Sequence, residues 1–188
     1  MEIILVTGNK DKLAQARATF ARHNISVISN EAQVDEIQSK DPIAITKAKA
    51  KECFKAIKKP LIVSDHSWAI SALNGFPGGY AKDVNQWFTA ENFLALMDQQ
   101  IDRNVYLTEC LVYQDEEVSK IFITKHAGEV SFTKKGTGRV PFEQVIRLSG
   151  SSKTIAEIID NGKQAIANEQ SSWEKFAIWY KDFSKASK

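Results

Sequence analysis

One carboxylate, Asp65, stands between an apolar run and a glycine-rich segment, in a position where chemistry could occur. The run "LIV" at 61–63 predicts a buried strand, and Asp65 would lie at its C-terminal end, where α/β sheets bind ligands. The segment "NGFPGGY" at 74–80 follows, with a proline and three glycines. A phosphate site can produce this pattern, and so can a structural turn that Asp65 caps.

The first strand–helix turn, "TGNKDK" at 7–12, is the second candidate. It is not a P-loop, because the GxxxxGK[ST] spacing is absent. A glycine after a strand still lets the backbone approach a ligand, and the following helix offers unpaired N–H groups. Asn9 and Lys12 could therefore bind phosphate oxygens. A Gly-Asn turn with solvated lysines is the alternative interpretation.

Further charges lie between these two segments. The stretch "IAITKAKAKECFKAIKK" at 43–59 predicts a lysine-rich amphipathic helix that ends before Pro60. Most of its lysines are expected to form a solvated face. Glu36, in "VDEIQS", would by default be an exposed acid in a loop.

The elements that must position these groups follow from apolar periodicity. Strands are predicted at 3–6, 25–29, 61–63, 105–114 and 119–132, and helices at 10–23, 43–59, 89–100 and 172–183. Three of the helices have a predicted buried face. These faces are Leu13, Ala16, Phe20 and Ala21 in the helix 10–23; Phe93, Leu94, Leu96 and Met97 in 89–100; and Trp173, Phe176, Ala177 and Tyr180 in 172–183. Strands and helices mix without strict βαβ alternation, which predicts an α/β fold with a mixed sheet flanked by helices.

Composition limits the class of protein. A chain of 188 residues is expected to form one domain, or two lobes that share a sheet, with a frayed tail at about 184–188. The net charge of +2 argues against a bulk nucleic-acid binder. Cys53 and Cys110 are far apart and are expected to be core thiols. The N-terminal "MEIILVTG" has neither a signal-peptide nor a membrane-span pattern, which favours the cytoplasm.

Four ordered motifs resemble those of the inosine triphosphate pyrophosphatase family. They are "LVTGNKDKL", "VDEIQS", "LIVSDHSWAISALNGFPGGY" and "KDVNQWF", and "SSKTIAEI" follows later in the chain. The similarity is clear from Met1 to about Phe88. It implies an elongated mixed sheet with two lobes, a cleft between them, and usually a homodimer. The implied reaction is the Mg²⁺-dependent hydrolysis of a nucleoside triphosphate to the monophosphate and pyrophosphate.

The resemblance also implies roles for single residues. Thr7, Gly8, Asn9 and Lys12 would hold the triphosphate; Glu36 and Asp65 would bind Mg²⁺ or orient the attacking water; Lys49 and Lys82 would neutralise phosphates; and Lys163 would match a further family lysine. Asp65, Lys12 and Lys49 would be the catalytic groups, with the "NGFPGGY" loop letting backbone and Lys82 close over the ligand. The set is chemically coherent, because a metal that bridges phosphate oxygens needs carboxylate ligands and the developing charge needs fixed cations.

Two departures from the family pattern affect the strand end and the base-reading segment. Ser64 replaces the first of two adjacent acids, and His66 follows Asp65, either as a half-buried imidazole or as a group with proton or metal duties. The base-reading segment corresponds to 140–144. Its Phe142 could stack on a base and its Glu143 could accept a base N–H, or they could be a core aromatic and a surface acid.

A third departure is the absence of the family's "SHR" motif. An ungapped register places Ala167, Asn168 and Glu169 there, and a register with a short insertion places Ser171, Ser172 and Trp173 there and loses the match at Lys163. We therefore predict a nucleoside triphosphate pyrophosphatase for a non-standard purine, with altered base recognition. The alternatives are a noncatalytic nucleotide-binding relative that acts as a sensor or partner, and a Maf-like pyrophosphatase for pyrimidine or modified nucleotides.

Overall fold

The computed structural model describes residues 1–166 and 171–186, which form strands and helices around one mixed sheet. The strands are β1 Glu2–Val6, β2 Ser26–Asn30, β3 Leu61–Ile70, β4 Phe76–Gly78, β5 Asn104–Gln114, β6 Ser119–Val130 and β7 Ile146–Leu148. The α-helices are α1 Lys10–Ala21, α2 Pro42–Ile57, α3 Ala81–Trp87, α4 Ala90–Leu96, α5 Ile155–Asp160 and α6 Ser172–Ala186. Short 3₁₀ turns lie at Ser71–Leu73 and Pro141–Gln144.

The seven-stranded sheet has the order β2-β1-β3-β5-β6-β7, with β4 paired to β3. Strand β1 lies parallel to both β2 and β3, and its last residue, Val6, is opposite Val63. Strands β4 and β7 are antiparallel to β3 and β6. The predicted α/β fold with a mixed sheet is therefore confirmed.

The described chain divides into two compact units, each with its own apolar core. Unit 1 comprises Met1–His66, Glu109–Thr124 and 171–186, and unit 2 comprises Ser67–Thr108 and 125–166. The core of unit 2 gathers residues of β3, α3, α4, β5 and the segment around Phe142.

Unit 1 has apolar clusters on both faces of its strands. Ile62 packs with α1 and α6 in a cluster that contains Phe20 and Trp173, whereas Val63 packs with α2 in the other. This division follows from the strand, because successive side chains point to opposite faces. Cys53 and Cys110 lie in the α2 cluster as buried thiols, as predicted.

Strand β3 is longer than predicted, and this corrects the position of Asp65. The strand continues to Ile70 because Trp68–Ile70 pair with Phe76–Gly78. Asp65 therefore lies within a strand, although it is beyond Val63, the last residue paired with the parallel neighbour. The predicted "NGFPGGY" loop is partly the strand β4, and the positive φ angles of Gly75 and Gly78, +87° and +57°, belong to this hairpin.

Helix boundaries and faces also differ in detail. Helix α4 ends at Leu96, which is exposed, and Ala21 on α1 is exposed as well. The prediction that these two residues face a core is therefore wrong. Helix α6 buries its predicted face at Trp173, Phe176, Ala177 and Tyr180. It extends to Ala186, so the predicted frayed tail begins as helix, and residues 187–188 lie outside the described residues.

Candidate active site

The turn after β1 is organised as a helix cap. The side-chain oxygen of Asn9 accepts hydrogen bonds from the backbone N–H groups of Asp11 at 2.8 Å and Lys12 at 3.1 Å, so Asn9 is the N-cap of α1. Thr7 accepts from the Asn9 backbone N–H at 3.0 Å. The cap uses the oxygen of Asn9 and leaves its amide nitrogen as the group that could donate to a phosphate.

Gly8 has no evident packing role in this turn. A Cβ built at Gly8 would meet no heavy atom within 4 Å, and its φ angle lies outside the left-handed region that favours glycine. Within the described residues, neither packing nor backbone conformation requires a glycine at position 8. Open space beside an exposed turn is what a ligand approaching the backbone would require.

Lys12 and Asp65 meet beside this turn. The Nζ atom of Lys12 donates to the backbone oxygen of Ser64 at 2.8 Å and lies 3.4 Å from Oδ1 of Asp65. Oδ1 of Asp65 also accepts the backbone N–H of His66 at 2.9 Å. The Lys12 side chain is 17% exposed and that of Asp65 is 38% exposed. Burial lowers the pKa of Lys12, and the charge of Asp65 opposes this effect.

Glu36 and Lys49 form a second ion pair nearby. Nζ of Lys49 lies 2.5 Å from Oε1 of Glu36, and both side chains are partly exposed. The Lys49 and Glu36 charges also act on the pKa of Lys12, the first lowering it and the second raising it. Lys12, Glu36, Lys49 and Asp65 thus share one electrostatic environment in unit 1, and we call these four side chains the charged cluster.

The carboxylates of the charged cluster fit a divalent cation that arrives with a phosphate ligand. Across residues 1–166 and 171–186, no group of three or more His, Cys, Asp or Glu side chains is arranged to hold a metal ion. Mg²⁺ in phosphate sites commonly uses one or two carboxylates and completes its shell with phosphate oxygens and water. Glu36 and Asp65 match that donor set.

Glu109 is a polar residue near this region that the sequence analysis missed. Its side chain is 0% exposed, with Oε1 3.7 Å from Nε2 of His66 and Oε2 accepting the backbone N–H of Ser172 at 3.2 Å. The available signal was an acid in the apolar strand "VYLTECLVYQ", at the spacing that shares a face with Leu111.

The predicted residues in unit 2 have different environments. Lys82, on α3, and Lys163, after α5, are exposed. Phe142 is 0% exposed, with its ring centroid 4.6 Å from that of Phe93. Glu143 is buried rather than at the surface, and its carboxylate binds the guanidinium of Arg139 at 2.8 Å. Of the two interpretations, core packing describes Phe142 in this structure.

Two registers were proposed for the missing "SHR" motif, and only the second falls on described residues. Ala167, Asn168 and Glu169 lie outside the described residues. Ser171, Ser172 and Trp173 are completely buried at the start of α6, and Trp173 packs edge-on against Phe20 at 5.9 Å. In that second register, the three side chains are therefore buried within unit 1.

None of the described helices has the length and apolar character needed to cross a membrane.

The mixed sheet with its flanking helices defines an α/β protein, and the same fold occurs in a HAM1 protein from Coxiella burnetii. That structure superposes with a TM-score of 0.83 at 18% identity, covering 97% of this chain and 99% of the other.

The chain belongs to the Ham1 family, whose sequence model matches residues 3–179. A dITP/XTP pyrophosphatase of Methanosarcina mazei is 27% identical over 180 residues, covering 95% of this chain and 97% of the relative. A dITP/XTP pyrophosphatase of Methanopyrus kandleri is 27% identical over 183 residues, covering 97% of both chains. The family resemblance drawn from the motifs is confirmed.

Proposed function

We propose that this protein is a nucleoside triphosphate pyrophosphatase, which hydrolyses its substrate to a nucleoside monophosphate and pyrophosphate. The observation that carries the proposal is the charged cluster, in which Lys12 contacts Asp65 and Ser64 beside an exposed glycine turn and Lys49 pairs with Glu36 in the same unit. The names of the matched relatives support dITP and XTP as the first substrates to test. Membership of the Ham1 family supports the same class of reaction.

The cluster supplies the charges that such a reaction needs. Each carboxylate of the cluster has a lysine beside it, so the four charges compensate one another. A triphosphate would offer each lysine a negative charge, and a divalent cation would offer each carboxylate a positive one. Mg²⁺ held by Glu36 and Asp65 would neutralise phosphate charge and polarise the phosphorus centre.

Asp65 is proposed to orient the attacking water and to accept its proton. Two donors, Lys12 Nζ and the His66 backbone N–H, approach the same oxygen, Oδ1. They would fix the orientation of the carboxylate and direct Oδ2 to another partner. Asn9 and Thr7 would position phosphate oxygens at the start of α1, where the helix dipole favours negative charge.

Base recognition is proposed to differ from the family pattern. The aromatic ring of Phe142 is enclosed in the core of unit 2, and Glu143 is bound to Arg139. Neither environment offers a base a stacking surface or an uncommitted carboxylate. A cytoplasmic homodimer, and roles for Lys82 and Lys163 in phosphate binding, are also part of the proposal, on the basis of the sequence resemblance.

The proposal is tested by substrate turnover. The protein is incubated with Mg²⁺ and a panel of ITP, dITP, XTP, the standard nucleoside triphosphates and methylated analogues, and released pyrophosphate and monophosphate are measured. We expect equal amounts of both products, with the highest kcat/KM for a non-standard purine, inosine or xanthosine, rather than for ATP or GTP.

The other outcomes separate the alternatives. Nucleotide binding without hydrolysis by folded protein would replace the enzyme with a sensor or partner protein. Turnover confined to pyrimidine or methylated nucleotides would indicate a Maf-like activity. Release of orthophosphate and a diphosphate would contradict the proposed reaction.

A further inference from the structure

Glu109 is a buried acid that packing alone does not explain. It lies on β5, at the spacing that shares a face with Leu107, Leu111 and Tyr113, which are all buried and contribute to the core. A completely buried carboxylate is costly unless compensating groups surround it, whereas an apolar side chain of similar size would avoid that cost. The contacts of Glu109 therefore indicate what the acid does.

The two oxygens of Glu109 contact two different elements of unit 1. Oε2 accepts the backbone N–H of Ser172, the first residue of α6, at 3.2 Å. That N–H belongs to the positive end of the helix dipole. Oε1 lies 3.7 Å from Nε2 of His66 on β3. One carboxylate thus hydrogen-bonds to the start of α6 and lies beside the residue that follows Asp65, at a separation from the imidazole that is longer than a hydrogen bond.

His66 connects this buried link to the charged cluster. Its imidazole faces Glu109, while its backbone N–H donates to Oδ1 of Asp65 at 2.9 Å. The side chains of Asp65 and His66 point to opposite faces of the strand, since they are adjacent on β3. His66 thus meets Glu109 through its ring on one face and Asp65 through its backbone N–H, so it is the one residue on the path from Glu109 to the Asp65 carboxylate that these contacts define.

We propose that Glu109 is a positioning residue for the reaction: by holding His66 and the first turn of α6, it fixes the orientation of the Asp65 carboxylate. Glu109 does not contact the substrate in this proposal. The proposal rests on the proposed function in unit 1. Partners that orient a reactive carboxylate commonly affect turnover more than binding, because binding relies on the lysines and the turn.

The test uses two substitutions that keep the volume of the side chain. Glu109→Gln retains an oxygen that can accept the Ser172 N–H, whereas Glu109→Leu removes the carboxylate that faces Ser172 and His66. We expect kcat for the best nucleoside triphosphate to fall about ten- to a hundred-fold in Glu109→Leu, with KM changing less than about two-fold. Glu109→Gln should recover part of the loss.

A matched control separates positioning from stability. Leu111→Ala removes a buried side chain from the same face of β5, and should lower the urea midpoint with little change in kcat for the folded fraction. The proposal is overturned if Glu109→Leu keeps wild-type kcat, or if KM rises as much as kcat falls.

A readout without catalysis distinguishes this proposal from the proposed function. In ¹H–¹⁵N spectra of the protein without ligand, the His66 backbone amide should shift in Glu109→Leu, and it should remain near its wild-type position in Leu111→Ala. Absence of wild-type turnover together with this shift would remove the proposed function and keep the positioning of Asp65. An unshifted His66 amide would overturn the positioning whatever the activity.

Discussion

The charged cluster in unit 1 and the segment 140–144 in unit 2 both contain candidates for ligand binding from sequence, but their environments differ. The cluster consists of partly exposed charges that lie next to opposite charges. In the 140–144 segment, Phe142 is completely buried against other aromatic rings and Glu143 is bonded to Arg139. Packing explains the second set of side chains and does not explain the first.

The comparison shows how the same motif-level resemblance can have two physical causes. An aromatic residue in a segment that resembles a family motif can belong to the core, because burial of a phenyl ring stabilises the fold by itself. Partly exposed ion pairs add little to stability, so four of these charges in one place favour a ligand as the explanation. Substitutions in the two regions test this contrast.

Replacement of Asp65 by Asn should have the largest effect on activity. The amide keeps the shape of the side chain but removes the charge for the metal and the acceptor for a proton, so we expect turnover to fall about a hundred- to ten-thousand-fold. Pyrophosphate release under single-turnover conditions measures this. Asp182→Asn, at an exposed acid on α6, is the matched control. Turnover within a few-fold of wild type in Asp65→Asn would contradict the role.

Phe142→Ala should act on stability instead. Removal of a completely buried phenyl ring is expected to lower the free energy of unfolding by about 3–5 kcal/mol. Urea unfolding measures the change, and Phe132→Ala, whose ring is 75% exposed beside Arg103, should cost about 1 kcal/mol or less. A small loss of stability in Phe142→Ala with a large rise in KM would assign Phe142 to the ligand.

Gly8→Ala should weaken substrate affinity and keep the free energy of unfolding, which is the reverse of the result expected for Phe142→Ala. The site has space for a Cβ, so the free energy of unfolding should stay the same or rise by up to about 1 kcal/mol. KM for the triphosphate should rise about ten-fold, because the methyl group occupies the space beside the turn. Gly150→Ala is the inverse control: its φ of +82° predicts a loss of about 1–2 kcal/mol with KM unchanged. Unchanged KM in Gly8→Ala would remove the turn from the site.

The smallest effect concerns the loop that precedes Phe142. Asp160 accepts hydrogen bonds from the backbone N–H and hydroxyl of Thr137 and from Gly138, and these bonds lower its pKa from 3.8. A lowered pKa in the folded state stabilises the protein above pH 3.8, and this contribution is lost as the pH falls through the folded-state pKa.

Wild type should therefore be more stable than Asp160→Asn at neutral pH, and the difference between their urea midpoints should shrink as the solution is acidified below pH 3.8. Asp182→Asn provides the comparison for an acid outside this loop. A difference that is independent of pH would contradict the assignment.

The sequence predicted most elements with strong local periodicity. The buried face of α6 was correct because its apolar residues recur at helical spacing around Trp173 and Tyr180. The three-residue strands β4 and β7 were missed because they are too short to show a period. Strand β3 was predicted too short, since the polar residues after Val63 interrupt the apolar run that marks its beginning.

The site shows the same division between local and distant information. Lys12 and Asp65 were found through motifs in their own segments, and the structure brings them together. Glu109 was missed because its contacts, His66 and Ser172, come from β3 and α6 and leave no local pattern. The burial of Phe142 depends on Phe93 and Trp68, so the choice between stacking and packing required the fold.

The most direct test of the charged cluster is a titration of ¹⁵N-labelled protein with a non-hydrolysable nucleoside triphosphate in the presence of Mg²⁺, followed through backbone amide shifts. We expect the largest shifts in the turn from Thr7 to Lys12 and at Ser64, Asp65 and His66, and we expect them to be lost in Asp65→Asn. Saturable binding that leaves all of these amides unshifted would contradict this expectation.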